Sequence, residues 1–231
     1  MTFKDQKIKW WNGFRDTTGK VLTEIPDVYP ESFGIPASMR KAELMRMDPK
    51  NEKQLLVMNS MWKMCNDKEA PTTMIVSGGN GTGKTYLGCA LVHTLGILQL
   101  ASNVREWNPL YIDEASLLMK LSGYESGAFF RFVTRECRML VYDEFAMTQW
   151  SPAEKRKIEQ VLNVRQGNNL AYVLLTNRTS DELYSTAGGT KEPILSSQLR
   201  SRLAPGYNIN LIGPDLRRNR PAFDDNPDLP F

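Results

Sequence analysis

The sequence predicts an α/β protein built around a parallel β-sheet. Short apolar runs bounded by turn-forming residues are typical of buried strands, and here they occupy residues 72–77, 109–112, 139–143, 171–176 and 207–212. Helix-like segments alternate with these runs, which favours a parallel five-stranded sheet covered by helices on both faces. The longer helix-like segments are 38–47, 52–66, 86–98, 114–121, 128–135 and 152–165.

A glycine-rich segment lies between the first predicted strand and the helix after it. Residues 78–85 read Gly-Gly-Asn-Gly-Thr-Gly-Lys-Thr and match the phosphate-binding pattern G-x-x-x-x-G-K-[ST] at each fixed position. Glycines suit this task because backbone N–H groups must approach a triphosphate closely, and side chains would hold the backbone away. The segment therefore predicts a nucleoside triphosphate site. Its predicted binding residues are Gly78, Gly79, Asn80, Gly81, Thr82, Gly83, Lys84, Thr85 and Tyr86.

Two side chains of this loop have predicted contacts of their own. Lys84 is spaced to reach the β- and γ-phosphates, and the hydroxyl of Thr85 is spaced to bind Mg²⁺. The helix that begins here points the positive end of its dipole at the anion. A glycine-rich turn that matches by chance is the alternative, and the order of strand, loop and helix argues against it. For the base, Phe33 and Ile35 are the candidates.

The strand at 139–143 ends in two adjacent carboxylates, those of Asp143 and Glu144. Ligands of open parallel sheets bind at the carboxyl ends of the strands. We therefore expect Asp143 to hold Mg²⁺ and Glu144 to polarise the attacking water. An acidic pair in a surface loop is the alternative, and the upstream phosphate loop argues against it.

Polar groups also follow the last two strand-forming regions. Asn177 comes directly after the strand at 171–176, where its amide is suited to bind the attacking water or the γ-phosphate, although asparagine also forms turns. Arg200 and Arg202 lie near the end of a short helix-like segment. Arginine stabilises charge on a transferring phosphoryl group, even from a neighbouring subunit, although the pair also suits a solvated surface.

Composition limits the other functions that the chain can have. The net charge of +3 is too small to bind polyanions without a local basic patch. Three cysteines without C-x-x-C spacing and a single histidine disfavour a zinc site or a disulfide framework. No segment resembles a secretory signal or approaches the roughly 20 apolar residues of a membrane span, so we expect a reduced, cytoplasmic setting and no membrane partner.

We expect the chain to have three parts. Residues 1–35 form a basic and aromatic arm with several breakers and no core of its own. Either this arm lies loosely on the domain, or it docks a partner through Trp10 and Trp11. Residues 36–213 form the predicted domain, and residues 214–231 form a polar, proline-containing tail.

The order of these motifs resembles the AAA+ ATPases, and within them the bacterial and phage helicase loaders of the DnaC-like group, with the related IstB-like transposition helpers. The resemblance covers about residues 35–218. Beyond the phosphate loop and the acidic pair, it is carried by Ile35-Pro36, residues 48–51, Arg165, residues 175–177, residues 199–203 and residues 213–217.

The resemblance implies ATP and Mg²⁺ as ligands, and an ATPase stimulated by assembly or DNA. Asn177 matches the first sensor, and Arg202 matches the arginine that acts in trans on a neighbouring subunit, with Arg200 the less certain match. Together with Lys84 and Glu144, Asn177 and Arg202 form the implied catalytic set. In this family the sensor strand lies between the phosphate-loop strand and the acidic strand. Few residues follow the trans-arginine segment, so we expect no C-terminal lid domain.

A helicase loader implies three partners: a replicative ring helicase, single-stranded DNA, and further copies of the chain through the trans arginine. Residues 114–135 resemble the family's helical insertion, which faces the DNA channel. Its aromatic and basic side chains are suited to stacking and charge contacts, although aromatics at this spacing also pack in cores. The DNA-binding candidates are Tyr124, Phe129, Arg131 and Arg135.

Three alternatives stay open. A transposition helper would use the same residues while binding target duplex and a transposase. A small-molecule kinase would need an acceptor pocket and a mobile arginine-rich lid, whereas Glu144 and Asn177 favour water as the nucleophile. A nucleotide-switched scaffold would not need the hydrolytic residues that the chain retains.

Overall fold

The structure is a computed structural model that describes residues 33–39, 42, 44, 49–102, 107–184, 194–213, 215 and 216. The arm up to residue 32, most of the predicted helix at 38–47 and, apart from residues 215 and 216, the tail lie outside the described residues. The described ranges contain the complete predicted sheet and the phosphate loop.

Five parallel strands form one sheet, in the order β2-β3-β4-β1-β5. The strands are β1 (Thr73–Gly78), β2 (Leu110–Asp113), β3 (Met139–Asp143), β4 (Ala171–Thr176) and β5 (Tyr207–Leu211). The predicted five-stranded parallel sheet is confirmed. The strand β4 lies between β1 and β3, which is the position that the family resemblance implies for the sensor strand.

Seven α-helices are found in the described ranges, and none of them is long and apolar enough to cross a bilayer. They are α1 (Glu52–Asn66), α2 (Lys84–Ser102), α3 (Glu114–Lys120), α4 (Ser126–Arg131), α5 (Pro152–Gly167), α6 (Ser180–Tyr184) and α7 (Ser197–Leu203). The predicted start of α5 is confirmed, because Ser151 caps the helix in a capping box and Pro152 occupies its first turn.

The predicted helix at 128–135 differs from the observed one in its bounds and its winding. The helix α4 begins at Ser126, and Phe132–Glu136 continues as a π-helical turn. Arg165, which is fully buried in α5, donates hydrogen bonds to the carbonyl oxygens of Val133 and Cys137 in and after this turn. The helical pattern of residues 128–135 does not predict the π-helical turn, because the turn is stabilised by Arg165, which lies in a distant segment.

Two apolar clusters lie on opposite faces of the sheet, because side chains alternate along each strand. Val141 and Val173 belong to the cluster that also contains residues of α1 and α2. Leu140 and Tyr142 belong to the other cluster, with residues of α3, α5 and α7. The predicted covering of both faces by helices is therefore confirmed.

The helix α2 packs unusually close to the sheet at Gly88. A Cβ at this position would lie 2.7 Å from Leu175 Cδ1 and 2.8 Å from Val141 Cγ1, which is closer than real Cβ contacts allow. This close approach fixes the start of α2 over β3 and β4. The end of the phosphate loop is thereby held next to the strand ends that carry Asp143 and Asn177.

Candidate nucleotide-binding site

A pocket of about 380 Å³ lies at the carboxyl ends of β1, β3 and β4. It is lined by residues from the phosphate loop, from both strand ends and from two more distant segments. The fold therefore brings together most of the predicted site. The predicted residues that line the pocket are Asn80, Gly81, Gly83, Lys84, Thr85, Tyr86, Asp143, Glu144 and Asn177.

The phosphate loop needs glycine for two different reasons. At Gly78 a Cβ would lie 2.5 Å from the carbonyl oxygen of Leu211, so the neighbouring strand leaves no room for a side chain. Gly81 has φ 73°, a left-handed conformation that glycine adopts without strain. The hydroxyl of Thr82 donates a 2.9 Å hydrogen bond to the carbonyl oxygen of Gly79, which closes the loop on itself.

The ammonium of Lys84 lies inside this loop. Its side chain is buried, and Nζ donates 2.8 Å hydrogen bonds to the carbonyl oxygens of Gly78 and Gly79. The positive charge is therefore held against two backbone carbonyl groups of the loop. A charged donor in this position matches what a phosphate chain requires.

Asp143 and Thr85 are in direct contact. The hydroxyl of Thr85 donates a 2.8 Å hydrogen bond to Oδ2 of Asp143, and the backbone N–H of Glu144 donates a 2.8 Å bond to Oδ1. A hydroxyl and a carboxylate placed together at the edge of the pocket are the oxygen ligands that Mg²⁺ prefers. The donor set therefore fits the metal that the sequence predicts.

Tyr111 is a site residue that the sequence did not reveal. Its side chain is buried in β2, and its hydroxyl donates a 2.6 Å hydrogen bond to Oδ2 of Asp143. Burial, and then the nearby charge of Asp143, raise the pKa of Tyr111 far above its ordinary value, so the hydroxyl keeps its proton and remains a donor. The feature that could have indicated this role is a tyrosine within an apolar strand, β2, that pairs with the acidic strand β3.

Glu144 lies at the mouth of the pocket in a strained conformation. Its φ is 58°, which is uncommon for a residue other than glycine and occurs often at functional sites. Partial desolvation raises the pKa of the Glu144 carboxyl, and the charges of Asp143, Asp113 and Glu114 raise it further. A general base works best when its pKa is closer to neutral, so this shift suits the predicted role.

Asn177 connects the end of β4 to the phosphate loop. Its Nδ2 donates a 2.7 Å hydrogen bond to Oδ1 of Asn80, across 97 positions of sequence. Both side chains line the pocket. The amide predicted to contact the γ-phosphate or the water is therefore directed at the loop that would hold the phosphates.

The two arginines of α7 lie outside the lining of this pocket. Arg202 Nη1 donates a 2.9 Å hydrogen bond to Oδ1 of Asn163 in α5. Arg200 donates to the carbonyl oxygen of Tyr184 in α6. Within one chain, neither guanidinium is placed to contact a bound phosphate, and the trans role of Arg202 stays a prediction.

Phe33 and Ile35, the two candidates for contact with the base, do not line the pocket. Ile35 is buried in the apolar core, and the ring of Phe33 packs against Gly96, far along α2 from the phosphate loop. The pocket is instead lined by Met39 and Leu216, together with Tyr86. The sequence did not reveal Met39 and Leu216, because the two residues come from opposite ends of the described chain.

The four DNA-binding candidates differ in exposure. Tyr124 is fully exposed, and Arg131 and Arg135 are exposed on α4 and the π-helical turn. Phe129 is half-buried against the second apolar cluster, and the ammonium of Lys120 lies 5.5 Å from the centre of its ring. Three of the four side chains are therefore free to contact a ligand, while Phe129 is mainly a packing residue.

The fold and the site together define a parallel α/β protein with a phosphate-binding loop. A phosphate loop joins β1 to α2, the acidic pair ends β3, and β4 lies between these two strands. Among the described residues, no helix follows β5. The predicted fold class is confirmed by its similarity to solved structures with this fold.

These structures include a helicase loader and a replication initiator. The chain is similar to DnaI, with 18% identity and a TM-score of 0.61 over 81% of this chain and 100% of that one. It is similar to the DnaC helicase loader, with 17% identity and a TM-score of 0.55 over 77% and 100% of the two chains. It is also similar to the replication initiator DnaA bound to AMPPCP and single-stranded DNA, with 15% identity and a TM-score of 0.57.

That alignment covers 74% of this chain, which spans half of the DnaA chain. The sequence matches no family model and no curated protein. The predicted resemblance to loaders is thus confirmed at the level of the fold.

Proposed function

We propose that this chain is an ATP-dependent helicase loader. It binds ATP with Mg²⁺, self-associates, engages single-stranded DNA and a replicative ring helicase, and hydrolyses ATP to release them. The observation that carries the proposal is the convergence of Lys84, Asp143, Glu144 and Asn177 on one pocket. The structural similarity to DnaI and to the DnaC helicase loader supports the choice of partner.

The nucleotide is held by groups that the fold has already assembled. The loop N–H groups and Lys84 bind the phosphates, and the apolar side chains of Met39 and Leu216 are suited to contact the base. Thr85 and Asp143 would hold Mg²⁺, which would supply positive charge against the negative charge of the phosphates. The hydrogen bond between Thr85 and Asp143 orients both side chains for this task.

Hydrolysis uses water as the nucleophile. The carboxylate of Glu144 accepts a proton from the water as the water oxygen attacks the γ-phosphorus, and the bond from that phosphorus to the bridging oxygen of ADP breaks. Asn177 orients the water or the γ-phosphate from the other side of the pocket. Lys84 stabilises the charge that develops on the oxygen atoms of the phosphates.

Assembly completes the site. Arg202 lies outside the pocket of its own chain, and we assign its guanidinium to the nucleotide of a neighbouring copy. Turnover by an isolated subunit is then slow, and assembly accelerates it. ATP binding therefore favours the assembled state that holds DNA, and hydrolysis releases it.

DNA binding is assigned to the surface formed by Tyr124, Arg131 and Arg135. Exposed aromatic and basic side chains provide a stacking face and positive charge, which is how single strands are bound without sequence preference. Phe129 packs against the second apolar cluster and thereby helps to position this surface.

The function is tested by assembling the chain with a purified replicative ring helicase from the same source on circular single-stranded DNA. We expect helicase loading that depends on ATP, and ATPase activity that rises with single-stranded DNA. Replacing Tyr124, Arg131 and Arg135 together by alanine removes the DNA affinity while leaving the DNA-independent ATPase unchanged. A Lys120→Gln variant is the control for loss of one nearby charge.

Other outcomes would replace the proposal. Binding of duplex DNA and a transposase without helicase loading would identify a transposition helper. A phosphorylated metabolite in place of free phosphate would identify a small-molecule kinase. Full ATP binding with no turnover in any assembly would identify a nucleotide-switched scaffold.

A further inference from the structure

The loop that carries Glu144 is strained and is held from outside. Glu144 and Ala146 have φ values of 58° and 60°, both in the left-handed region, and neither is glycine. Such conformations persist only where the surroundings impose them. The loop spans residues 144–148, and Glu144 and Met147 face the nucleotide pocket.

On one side, the loop is held by the carboxylate of Glu114, the first residue of α3. This side chain is buried and accepts a 2.7 Å hydrogen bond from the N–H of Ala146. It also accepts bonds from the N–H and the hydroxyl of Thr148, at 3.1 and 2.6 Å. A further bond, at 3.2 Å, comes from the hydroxyl of Tyr142 in β3. Burial of a carboxylate is costly, and here donors of the loop stabilise it.

On the other side, the loop is held by the guanidinium of Arg178. Its Nε donates a 3.0 Å hydrogen bond to the carbonyl oxygen of Ala146, and Nη2 lies 3.4 Å from that of Met147. The N–H of Ala146 is thus bound to Glu114 and its carbonyl oxygen to Arg178. Arg178 directly follows Asn177, which is bonded to Asn80 of the phosphate loop.

We propose that Glu114 and Arg178 are positioning residues that clamp the backbone at Ala146 and thereby orient Glu144 toward the attacking water. This inference rests on the proposed ATPase function. Neither Glu114 nor Arg178 lines the pocket, so both act through the loop and not on the nucleotide. Because Arg178 directly follows Asn177, the clamp also joins the loop of Glu144 to the end of β4, which is bonded to the phosphate loop.

Two conservative variants test the clamp. Glu114→Gln keeps the shape of the side chain but places an amide N–H group opposite backbone N–H donors of the loop. Arg178→Lys keeps the charge but cannot donate to the carbonyl oxygens of Ala146 and Met147 at the same time in the geometry of the guanidinium. Because Arg178 is only partly buried, this second variant folds even if the first one does not.

Matched controls remove neighbouring contacts that do not reach the loop. Tyr142→Phe removes one hydrogen bond from the same Glu114 carboxylate. Glu182→Gln weakens the 3.2 Å ion pair of Arg178 on α6. We expect both controls to turn over ATP at the rate of the wild-type chain.

The expected result is a separation of turnover from binding. In both clamp variants kcat falls by roughly tenfold or more, because misplacement of a catalytic group is costly, while the Kd for MgATP changes by less than about twofold. Amide hydrogen exchange at Ala146 and Thr148 becomes at least about tenfold faster, and this readout does not require activity.

Other outcomes overturn the inference. Unchanged exchange at Ala146 and Thr148, or an unchanged kcat, shows that the clamp does not set the loop. A parallel loss of kcat, MgATP affinity and thermal stability shows that the two residues serve only the fold. If the wild-type chain binds no MgATP, the proposed function fails instead, and the exchange data still report separately whether the clamp holds the loop.

Discussion

The hydroxyl of Tyr111 and the hydroxyl of Thr85 donate to the same oxygen of Asp143, at 2.6 and 2.8 Å. Thr85 belongs to the phosphate loop, whereas Tyr111 belongs to the neighbouring strand β2. The carboxylate is therefore oriented by a residue that does not itself line the pocket. Such partners of a metal-binding carboxylate commonly tune metal affinity.

Tyr111→Phe removes this hydrogen bond and retains the ring. We expect the Mg²⁺ concentration needed for half-maximal ATP binding to rise by about tenfold or more, because outer partners of metal ligands typically have effects of this size. ATP binding in the absence of Mg²⁺ stays unchanged. The measurement is a titration of a fluorescent ATP analogue at graded Mg²⁺ concentrations.

Tyr172→Phe is the matched control, because the Tyr172 hydroxyl is buried in the same sheet and has no hydrogen-bond partner among the described residues. An equal loss of ATP binding with and without Mg²⁺ in Tyr111→Phe would contradict the assigned role.

The raised pKa of Glu144 predicts the acid limb of the activity profile. Because the deprotonated carboxylate is the base, kcat rises with pH through a midpoint above the ordinary glutamate value of 4.5. Glu144→Gln lowers kcat by roughly a hundredfold or more and leaves MgATP binding intact. An acid limb that persists unchanged in this variant would assign the titration to another group.

The same shift predicts the sign of a stability change. A raised pKa means that the fold favours the protonated form, so the stabilising contribution is present below about pH 4.5 and is lost as pH rises through the raised pKa. Glu144→Gln therefore raises the Tm at neutral pH relative to the wild-type chain, and the difference disappears in acid. Thermal melts across this pH range measure it.

Glu154→Gln provides a control of opposite sign. Hydrogen bonds from Ser151 lower the pKa of Glu154 in the capping box of α5. Its stabilising contribution is present above the ordinary pKa and is lost as pH falls through the lowered one, so this variant lowers the Tm at neutral pH. The same sign in both variants would contradict the electrostatic explanation.

Arg202→Ala tests whether hydrolysis needs a second copy of the chain. We expect intact MgATP binding, because the guanidinium lies outside the pocket of its own chain. Turnover is strongly reduced, because the proposed contact with the nucleotide of a neighbouring copy is lost. Mixing this variant with Lys84→Ala restores part of the activity, since mixed interfaces combine an intact pocket with an intact arginine. Failure of the mixture to exceed either variant alone would argue against a trans role.

Gly88→Ala tests the close packing of α2 against the sheet. The new methyl group collides with Val141 and Leu175, so we expect a loss of about 1–3 kcal/mol in the free energy of unfolding, partly offset by the better helix propensity of alanine. Urea denaturation measures the change. Gly167→Ala in α5 is the control, because a Cβ there meets no atom within 4 Å and a neutral or small stabilising effect is expected.

The parts of the fold that depend on local patterns were predictable from the sequence. The phosphate loop and the acidic pair of β3 are contiguous, so their chemistry and spacing can be read directly. Short apolar runs predicted the strand bounds to within one residue, and Ser151 and Pro152 predicted the start of α5.

The contacts that the sequence did not reveal join residues far apart in the chain. The role of Tyr111 depends on the parallel register that places Asp113 opposite Asp143, and on the face to which Tyr111 points. Glu114 reaches a loop 32 positions away, and no local pattern marks a carboxylate for burial against backbone donors. The sequence did not reveal Met39 and Leu216 for the same reason, since the two residues line one pocket only in the folded chain.

The most direct test of the central claim is the Mg²⁺-dependent affinity of the purified chain for ATP, measured by calorimetry alongside Lys84→Ala. We predict binding that requires Mg²⁺ and weakens by about tenfold or more in the variant, because the charged hydrogen bonds of Lys84 are lost. Absence of Mg²⁺-dependent ATP binding in every assembly state, or equal affinity in the variant, would contradict the account.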